Sequence, residues 1–113
     1  MKKIYPCIIG LGYVGLPVFI SLKKKFEVIG FDTNKDRINN LNNQIDTNNE
    51  FSKSQLKPSN KSQLTSDENK LKNCNFFIVT VPTPINNKKL PDLKFVISAF
   101  KTISKYIKKN DIV

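Results

Sequence analysis

The feature that most constrains how this chain can fold is a turn with three spaced glycines near its amino terminus. Gly10, Gly12 and Gly15 follow the pattern G-x-G-x-x-G. The apolar run at residues 4–9 predicts a buried strand before the turn, and apolar residues at helical spacing over 13–24 predict a helix after it. A strand, a glycine turn and a helix in this order indicate a parallel α/β unit.

The remaining sequence alternates between the same two kinds of element. Apolar runs and helical periodicity predict strands at 27–31, 64–65 and 75–81, and helices at 34–43, 66–71 and 92–108. Polar residues fill 44–63 and predict a long loop, and Asp111 begins what we expect to be another strand. This alternation predicts a Rossmann-type, doubly wound, mostly parallel sheet with helices on both faces.

Two of these elements carry expectations about burial. Residues 75–81 are almost all apolar, which predicts a central strand that is covered on both faces. In the last helix, which Asp92 is placed to cap, we expect one apolar stripe to face the core: Phe95, Val96, Ala99, Phe100, Ile103 and Ile107. Because proline cannot donate a ladder hydrogen bond, Pro6 leaves the residue at which the first strand begins undetermined.

The three glycines each suit a different part of a dinucleotide site. Gly10 permits the tight turn, Gly12 lets the backbone approach a pyrophosphate, and Gly15 lets the helix pack closely on the strand. The free N–H groups at the start of the helix would face the phosphates. The alternative is a glycine turn without a ligand, and the strand and helix on either side favour dinucleotide binding.

Asp32 ends the second predicted strand, 22 residues after Gly10. A carboxylate there can accept hydrogen bonds from the adenosine ribose hydroxyls and would repel a 2′-phosphate, which favours NAD over NADP. The alternative role is a plain helix-capping aspartate. Arg37 would contact the adenine or ribose, or else be solvated. Thr83, in the sequence V-P-T-P after the 75–81 strand, could offer a hydroxyl to the cofactor.

Several motifs, in order along nearly the whole chain, resemble one enzyme family: Ile9-Gly10-Leu11-Gly12-Tyr13-Val14-Gly15-Leu16-Pro17, Gly30-Phe31-Asp32-Thr33-Asn34 with Arg37, Val81-Pro82-Thr83-Pro84, and Pro91-Asp92-Leu93. The family is that of the nucleotide-sugar 6-dehydrogenases. Residues 76–93 and 105–113 look most like its branch acting on UDP-N-acetylglucosamine or UDP-N-acetylgalactosamine, which serves capsule, Vi-type or O-antigen polysaccharide synthesis.

The resemblance implies an activity and a set of residues. Such enzymes oxidise the C6 alcohol of a UDP-sugar to a carboxylate in two NAD-dependent steps through a cysteine thiol adduct. It places Val14, Asp32, Arg37 and Thr83 against NAD. Val14 lies in the glycine loop, where Tyr13 is also an expected cofactor-binding residue. The resemblance places the catalytic residues after residue 113. We therefore expect residues 1–113 to form an incomplete NAD-binding domain that is inactive alone and holds no catalytic residue and no metal.

Composition sets broader bounds. The chain of 113 residues suits one domain, and no apolar run is long enough to span a bilayer. The two cysteines, Cys7 and Cys74, lie in apolar stretches and fit a reducing, cytoplasmic compartment as core residues. The net charge of +10 comes from scattered lysines with a single arginine, which favours a solvated surface over nucleic-acid binding.

The expected partners follow from these points. They are NAD and, in the whole enzyme, a UDP-sugar, with no nucleic acid and no membrane; the full-length protein is expected to be a homo-oligomer. Two alternative functions stay open from the sequence. One is a stand-alone nucleotide-binding module without catalysis, and the other is an NAD-dependent dehydrogenase of the hydroxyacid type.

Overall fold

The computed structural model describes residues 3–113, so Met1 and Lys2 of the expected domain lie outside the described residues. Its elements in chain order are β1 (Pro6–Ile9), α1 (Gly15–Leu22), β2 (Val28–Phe31), α2 (Lys35–Asn42), β3 (Ser62–Thr65), a 3₁₀ helix (Glu68–Asn73), β4 (Phe76–Val79) and α3 (Lys94–Ser104). The alternation of strands and helices predicted from the sequence is confirmed.

The four strands form one parallel sheet in the order β3-β2-β1-β4. The chain therefore moves outward from β1 through β2 to β3, then crosses back to pair β4 with the other side of β1. Ile112 makes a parallel bridge to Phe76 beyond β4, as expected for the start of another strand. This reversal of strand order creates a crevice between the carboxyl ends of β1 and β4.

Two hydrophobic clusters cover the two faces of the sheet. One joins Ile8 of β1 to α1 and α2 through Leu16, Phe19 and Leu41. The other joins Cys7 and Ile9 of β1 to the 3₁₀ helix and α3. Because successive strand residues point to opposite faces, the alternation along β1 divides its side chains between the clusters. Helices on both faces, as the sequence predicted, are therefore present.

Three details differ from expectation. The first strand begins at Pro6, the end position where a missing N–H costs least, and not at residue 4. β4 ends the order of the four strands but pairs on its outer side with Ile112, so its expected inner position holds, whereas of its residues only Phe77 is fully buried. In α3, Ala99 and Ile103 are buried, whereas the rest of the expected core stripe is more exposed: Phe95 and Phe100 in the helix, and Ile107 beyond its end, are at least 40% exposed.

The predicted core stripe of α3 was wrong in part because the helix presents more than one apolar face. The sheet covers the narrow face that carries Ala99 and Ile103, and Val96 is half-buried beside it. The cap residue of the helix is Leu93 and not Asp92 as predicted, although the Asp92 carboxylate still accepts a hydrogen bond from the N–H of Lys94 at 3.1 Å. The helix is shorter than predicted at both ends, spanning Lys94–Ser104.

The carboxyl end of α2 adopts a standard helix-ending geometry. The N–H of Ile45 bonds the carbonyl of Asn40 at 2.8 Å, and the N–H of Gln44 bonds that of Leu41 at 3.0 Å. This is the Schellman pattern, whose penultimate position is left-handed and favours glycine. Gln44 occupies it with φ of 63°. The long loop that the sequence predicted then runs from this point to β3.

Candidate functional site: the glycine loop and its surroundings

The turn between β1 and α1 needs glycine at its first position. Gly10 has φ of +94°, a backbone conformation that other residues rarely adopt. Its N–H continues the sheet by bonding the carbonyl of Phe31 at 2.8 Å. A side chain would also meet the carbonyl oxygen of Thr80 at 3.0 Å. The tight-turn role expected for Gly10 is therefore present in the backbone.

Gly15 allows the first turn of α1 to lie against that turn. A Cβ at Gly15 would overlap the carbonyl oxygen of Gly10 and lie 2.5 Å from Oγ1 of Thr80. Thr80 directly follows β4. Its hydroxyl donates to the carbonyls of Gly10 at 2.7 Å and Ile9 at 3.1 Å. Close approach of helix, strand and threonine at this point leaves no room for a side chain.

Gly12 has the opposite environment. A Cβ there would meet no heavy atom within 4 Å outside its chain neighbours. Tyr13 and Val14 beside it are 67% and 63% exposed. α1 begins at Gly15 with no acidic residue in its first turn and no side-chain cap hydrogen bond. The loop thus offers an open backbone surface at a positive helix end, which fits an anionic pyrophosphate.

Asp32 lies directly after β2 and is half-buried. Its Oδ2 accepts a hydrogen bond from the N–H of Leu11 at 2.8 Å, and its Oδ1 accepts one from the N–H of Asn34 at 2.9 Å. The cap of α2 is Asn34, whose side chain accepts from the N–H of Arg37. The alternative role of Asp32 as the cap residue of this helix is therefore wrong, and each carboxylate oxygen keeps a lone pair for a ligand.

Arg37 is buried beneath the glycine loop, with 9% of its side chain exposed, so the solvated alternative is wrong. Its Nε donates to the carbonyl of Leu11 at 2.9 Å, and its Nη1 donates to Oδ1 of Asp46 at 2.8 Å. Asp46 is also buried. The arginine therefore supports the loop from the protein side.

A small cleft joins these parts at the carboxyl edge of the sheet. Its lining includes Gly10, Asp32 and Val81, and α3 closes it with Phe95, Ser98 and Thr102. Thr83, expected from the sequence to reach a cofactor, is exposed two residues after Val81 in the same loop. The structure thus brings the glycine loop, the aspartate and the loop after β4 to one edge.

Comparison with known families bears directly on this site. Residues 3–113 match the model of the UDP-glucose/GDP-mannose dehydrogenase family, NAD binding domain. The chain belongs to this family. The match confirms the resemblance drawn from the sequence motifs, and it confirms NAD as the cofactor of the domain. The domain's glycine loop, described above, is the element that suits the pyrophosphate of that cofactor.

Individual members of the family are close in sequence. The chain is 47% identical over 106 residues to UDP-N-acetyl-D-glucosamine 6-dehydrogenase of Salmonella typhi, a match that covers 94% of this chain and 25% of the relative. It is 44% identical over 113 residues to the enzyme of that name from Pseudomonas aeruginosa, covering 100% of this chain and 27% of the relative. The chain thus spans about a quarter of the relatives' length.

Solved structures agree on the fold. UDP-D-ManNAc dehydrogenase from Pyrococcus horikoshii superposes with a TM-score of 0.88 at 26% identity, covering 96% of this chain and 27% of that chain. The UDP-N-acetyl-mannosamine dehydrogenase Cap5O from Staphylococcus aureus gives 0.81 at 28% identity with the same two coverages. The Rossmann-type architecture of this dehydrogenase domain is therefore confirmed.

The two cysteines lie away from the cofactor edge. Cys7 and Cys74 are free and buried, as expected for core residues. The pKa of the Cys7 thiol is raised by its hydrogen bond with Cys74 and by burial, which opposes formation of a nucleophilic thiolate. Within residues 3–113 no group of three or more His, Cys, Asp or Glu residues could hold a metal ion.

Sequence reasoning missed two residues of this site. Thr80 was counted only as part of the β4 strand, yet its hydroxyl fixes the carbonyl of Gly10. Asp46 lies in a segment predicted as loop, yet it pairs with Arg37. A threonine at a strand end beside a glycine turn was a visible signal for the first. Nothing in the local pattern connected Asp46 with a residue nine positions earlier.

Proposed function

We propose that this chain is the NAD-binding part of an enzyme that oxidises the C6 alcohol of a UDP-N-acetylhexosamine to the carboxylate in two NAD-dependent steps. The observation that carries the proposal is the open, uncapped glycine loop at Gly12 beside the Asp32 carboxylate. The relatives named UDP-N-acetyl-D-glucosamine 6-dehydrogenase support the choice of sugar.

Each residue has a proposed part in holding the cofactor. The backbone of Gly10, Gly12, Tyr13, Val14 and Gly15 would face the pyrophosphate, Asp32 would accept hydrogen bonds from the ribose hydroxyls, and Thr83 would contact the cofactor from the loop after β4. Arg37 would support the loop near the adenosine side. NAD held there would supply the hydride acceptor for oxidation of the sugar alcohol.

We extend the proposal to the whole enzyme of which this chain is a part. Residues 1–113 are the cofactor domain of a longer enzyme, whose thiol and acid–base groups follow this segment. The whole enzyme assembles as a homo-oligomer in the cytoplasm and serves surface polysaccharide synthesis. Within residues 3–113 no helix is long and apolar enough to cross a bilayer.

Calorimetry of the isolated chain with NAD and with NADP tests the cofactor site. We expect NAD to bind more tightly, because the Asp32 carboxylate repels a 2′-phosphate. Asp32→Ala should weaken NAD binding by about 1–3 kcal/mol, the scale of lost hydrogen bonds to a charged group. Asp36→Ala, which removes an exposed carboxylate on the first turn of α2, is the control and should leave NAD affinity unchanged. Tighter binding of NADP would overturn the assignment.

An activity assay tests where the catalytic groups lie. Incubated with NAD and a panel of UDP-hexoses, the isolated chain should produce no NADH, because both thiols are buried away from the cofactor edge and the Asp32 carboxylate at that edge is placed to hold the ribose. Sustained NADH production that disappears in Cys7→Ser or Cys74→Ser would show that the catalytic centre is within this chain.

A further inference from the structure

The buried carboxylate of Asp46 organises the beginning of the long connection between α2 and β3. Its Oδ1 accepts the N–H of Asn48 at 3.0 Å, and its Oδ2 accepts the N–H groups of Glu50 at 2.9 Å and Phe51 at 3.1 Å. Its side chain is fully buried. The start of the stretch that the sequence predicts as a long loop, with one helical turn around 51–56, is thus folded around one charge.

That charge is neutralised by Arg37. Desolvation raises the pKa of Asp46, but the hydrogen bond from Arg37 and the three backbone N–H donors outweigh it, so the pKa lies below its usual value. Nη2 of Arg37 has no hydrogen-bond partner among residues 3–113. The bonds made by Nε and Nη1 therefore determine how the guanidinium is oriented.

The guanidinium in turn orients a peptide unit of the glycine loop. Nε of Arg37 holds the carbonyl of Leu11, and the Leu11 carbonyl and the Gly12 N–H belong to the same planar trans peptide. Holding the carbonyl toward the protein interior directs the Gly12 N–H the opposite way. Gly12 is the position with open space around it, where a pyrophosphate would approach.

We infer that Asp46 is a positioning residue for cofactor binding, which acts through Arg37 and the Leu11–Gly12 peptide and couples the order of residues 46–51 to NAD. The inference rests on the proposed function, because it assigns a further residue to the same site. Asp46 touches no part of the cofactor in this scheme. Its effect on affinity must pass through Arg37, and the coupling must be reciprocal.

Amide hydrogen exchange on the unmodified chain tests the coupling directly. We expect NAD to slow exchange of the Asn48, Glu50 and Phe51 amides by at least about fivefold more than that of the Lys108 amide. The Lys108 N–H bonds the Asp111 carboxylate at 2.8 Å, outside the cofactor edge, so it is a reference amide with the same kind of hydrogen bond away from the proposed coupling. Equal slowing at all four amides would overturn the inference.

Affinity measurements on variants provide the reciprocal test. Asp46→Asn should weaken NAD binding by at least about fivefold. Asp111→Asn is the matched control, because Asp111 is equally buried and also accepts a backbone N–H, and it should keep the unmodified affinity. In an Arg37→Met background, adding Asp46→Asn should change affinity by less than about twofold, because the route through the guanidinium is already broken.

The outcomes separate the inference from the proposed function. If the unmodified chain does not bind NAD, the proposed function fails and the inference falls with it. If the chain binds NAD but Asp46→Asn binds equally well, only the inference fails. If Asp46→Asn does not fold, the exchange experiment on the unmodified chain decides. An undiminished effect of Asp46→Asn in the Arg37→Met background would show a merely structural role.

Discussion

Alanine substitutions at Gly12 and Gly15 should separate cofactor binding from folding at two positions three residues apart. At Gly15 a methyl group would overlap the Gly10 carbonyl and press on Thr80, both of which are held by other hydrogen bonds. At Gly12 the same methyl group would enter open space. The two variants add the same atoms to one loop, so each serves as the control for the other.

The expected magnitudes follow from these surroundings. Overpacking costs about 1–3 kcal/mol of stability. The methyl group added at Gly15 should cost an amount near the upper end of this range, because it clashes with backbone. Alanine in place of a helical glycine stabilises the helix by about 1 kcal/mol, which offsets part of this cost. Gly15→Ala should therefore destabilise the fold by about 2 kcal/mol, which lowers Tm by about 8 °C for a domain of this size.

Gly12→Ala should behave in the opposite way. Its backbone is not left-handed, so alanine should leave stability unchanged or raise it by about 0.4–1 kcal/mol through the unfolded chain. A methyl group between the loop and the pyrophosphate should cost about 1–3 kcal/mol of binding, which is roughly a 5- to 150-fold loss of NAD affinity.

Urea unfolding and calorimetry with NAD check both variants. NAD titrations should be run at a temperature at which each variant is fully folded. The reasoning would be refuted if Gly12→Ala bound NAD as tightly as the unmodified chain. It would also be refuted if Gly15→Ala were as stable as the unmodified chain, since the overlap at the Gly10 carbonyl would then be relieved without cost.

Two further predictions concern stability. Gln44→Gly should raise the free energy of unfolding by about 1 kcal/mol, because Gln44 has φ of 63° at the glycine-favouring position after α2; an unchanged or lower urea midpoint would contradict this. The pKa of Asp46 in the folded chain lies below its usual value of 3.8. Its contribution to the free energy of unfolding should therefore be complete above about pH 5 and be lost as the pH falls below 3.8. Urea titrations across this range should show a smaller acid loss in Asp46→Asn than in the unmodified chain.

The fold and the centre of the site could be predicted because local patterns encode them. The glycine spacing fixes a strand, a turn and a helix in sequence, and Asp32 follows the next apolar run. Parallel strands must then bring their carboxyl ends to one edge, which places Asp32 beside the turn without any knowledge of long-range contacts.

What could not be predicted depends on contacts between distant segments. Arg37 at a helix start resembles an exposed residue, and its burial is compensated only because Asp46 folds back nine residues later. The apolar stripe of α3 was too wide for sequence periodicity to choose which part the sheet covers. The apolar residues of β4 predicted a strand covered on both faces, but only Phe77 is fully buried, because apolar content does not show how much of each face the helices cover.

The strand order also favours the small cleft over a larger cavity as the candidate cofactor site. A cavity of about 670 Å³ opens at the amino ends of the strands, lined by Tyr5, Val28 and Ser62 among others. In doubly wound sheets, ligands bind at the carboxyl ends, at the point where strand order reverses. Here that point lies between β1 and β4, where Gly10 and Thr80 meet, and the start of α1 points its N–H groups to that edge. The lining of the larger cavity includes neither the glycine turn nor the start of α1, α2 or α3, so it lacks the backbone N–H groups that suit a pyrophosphate.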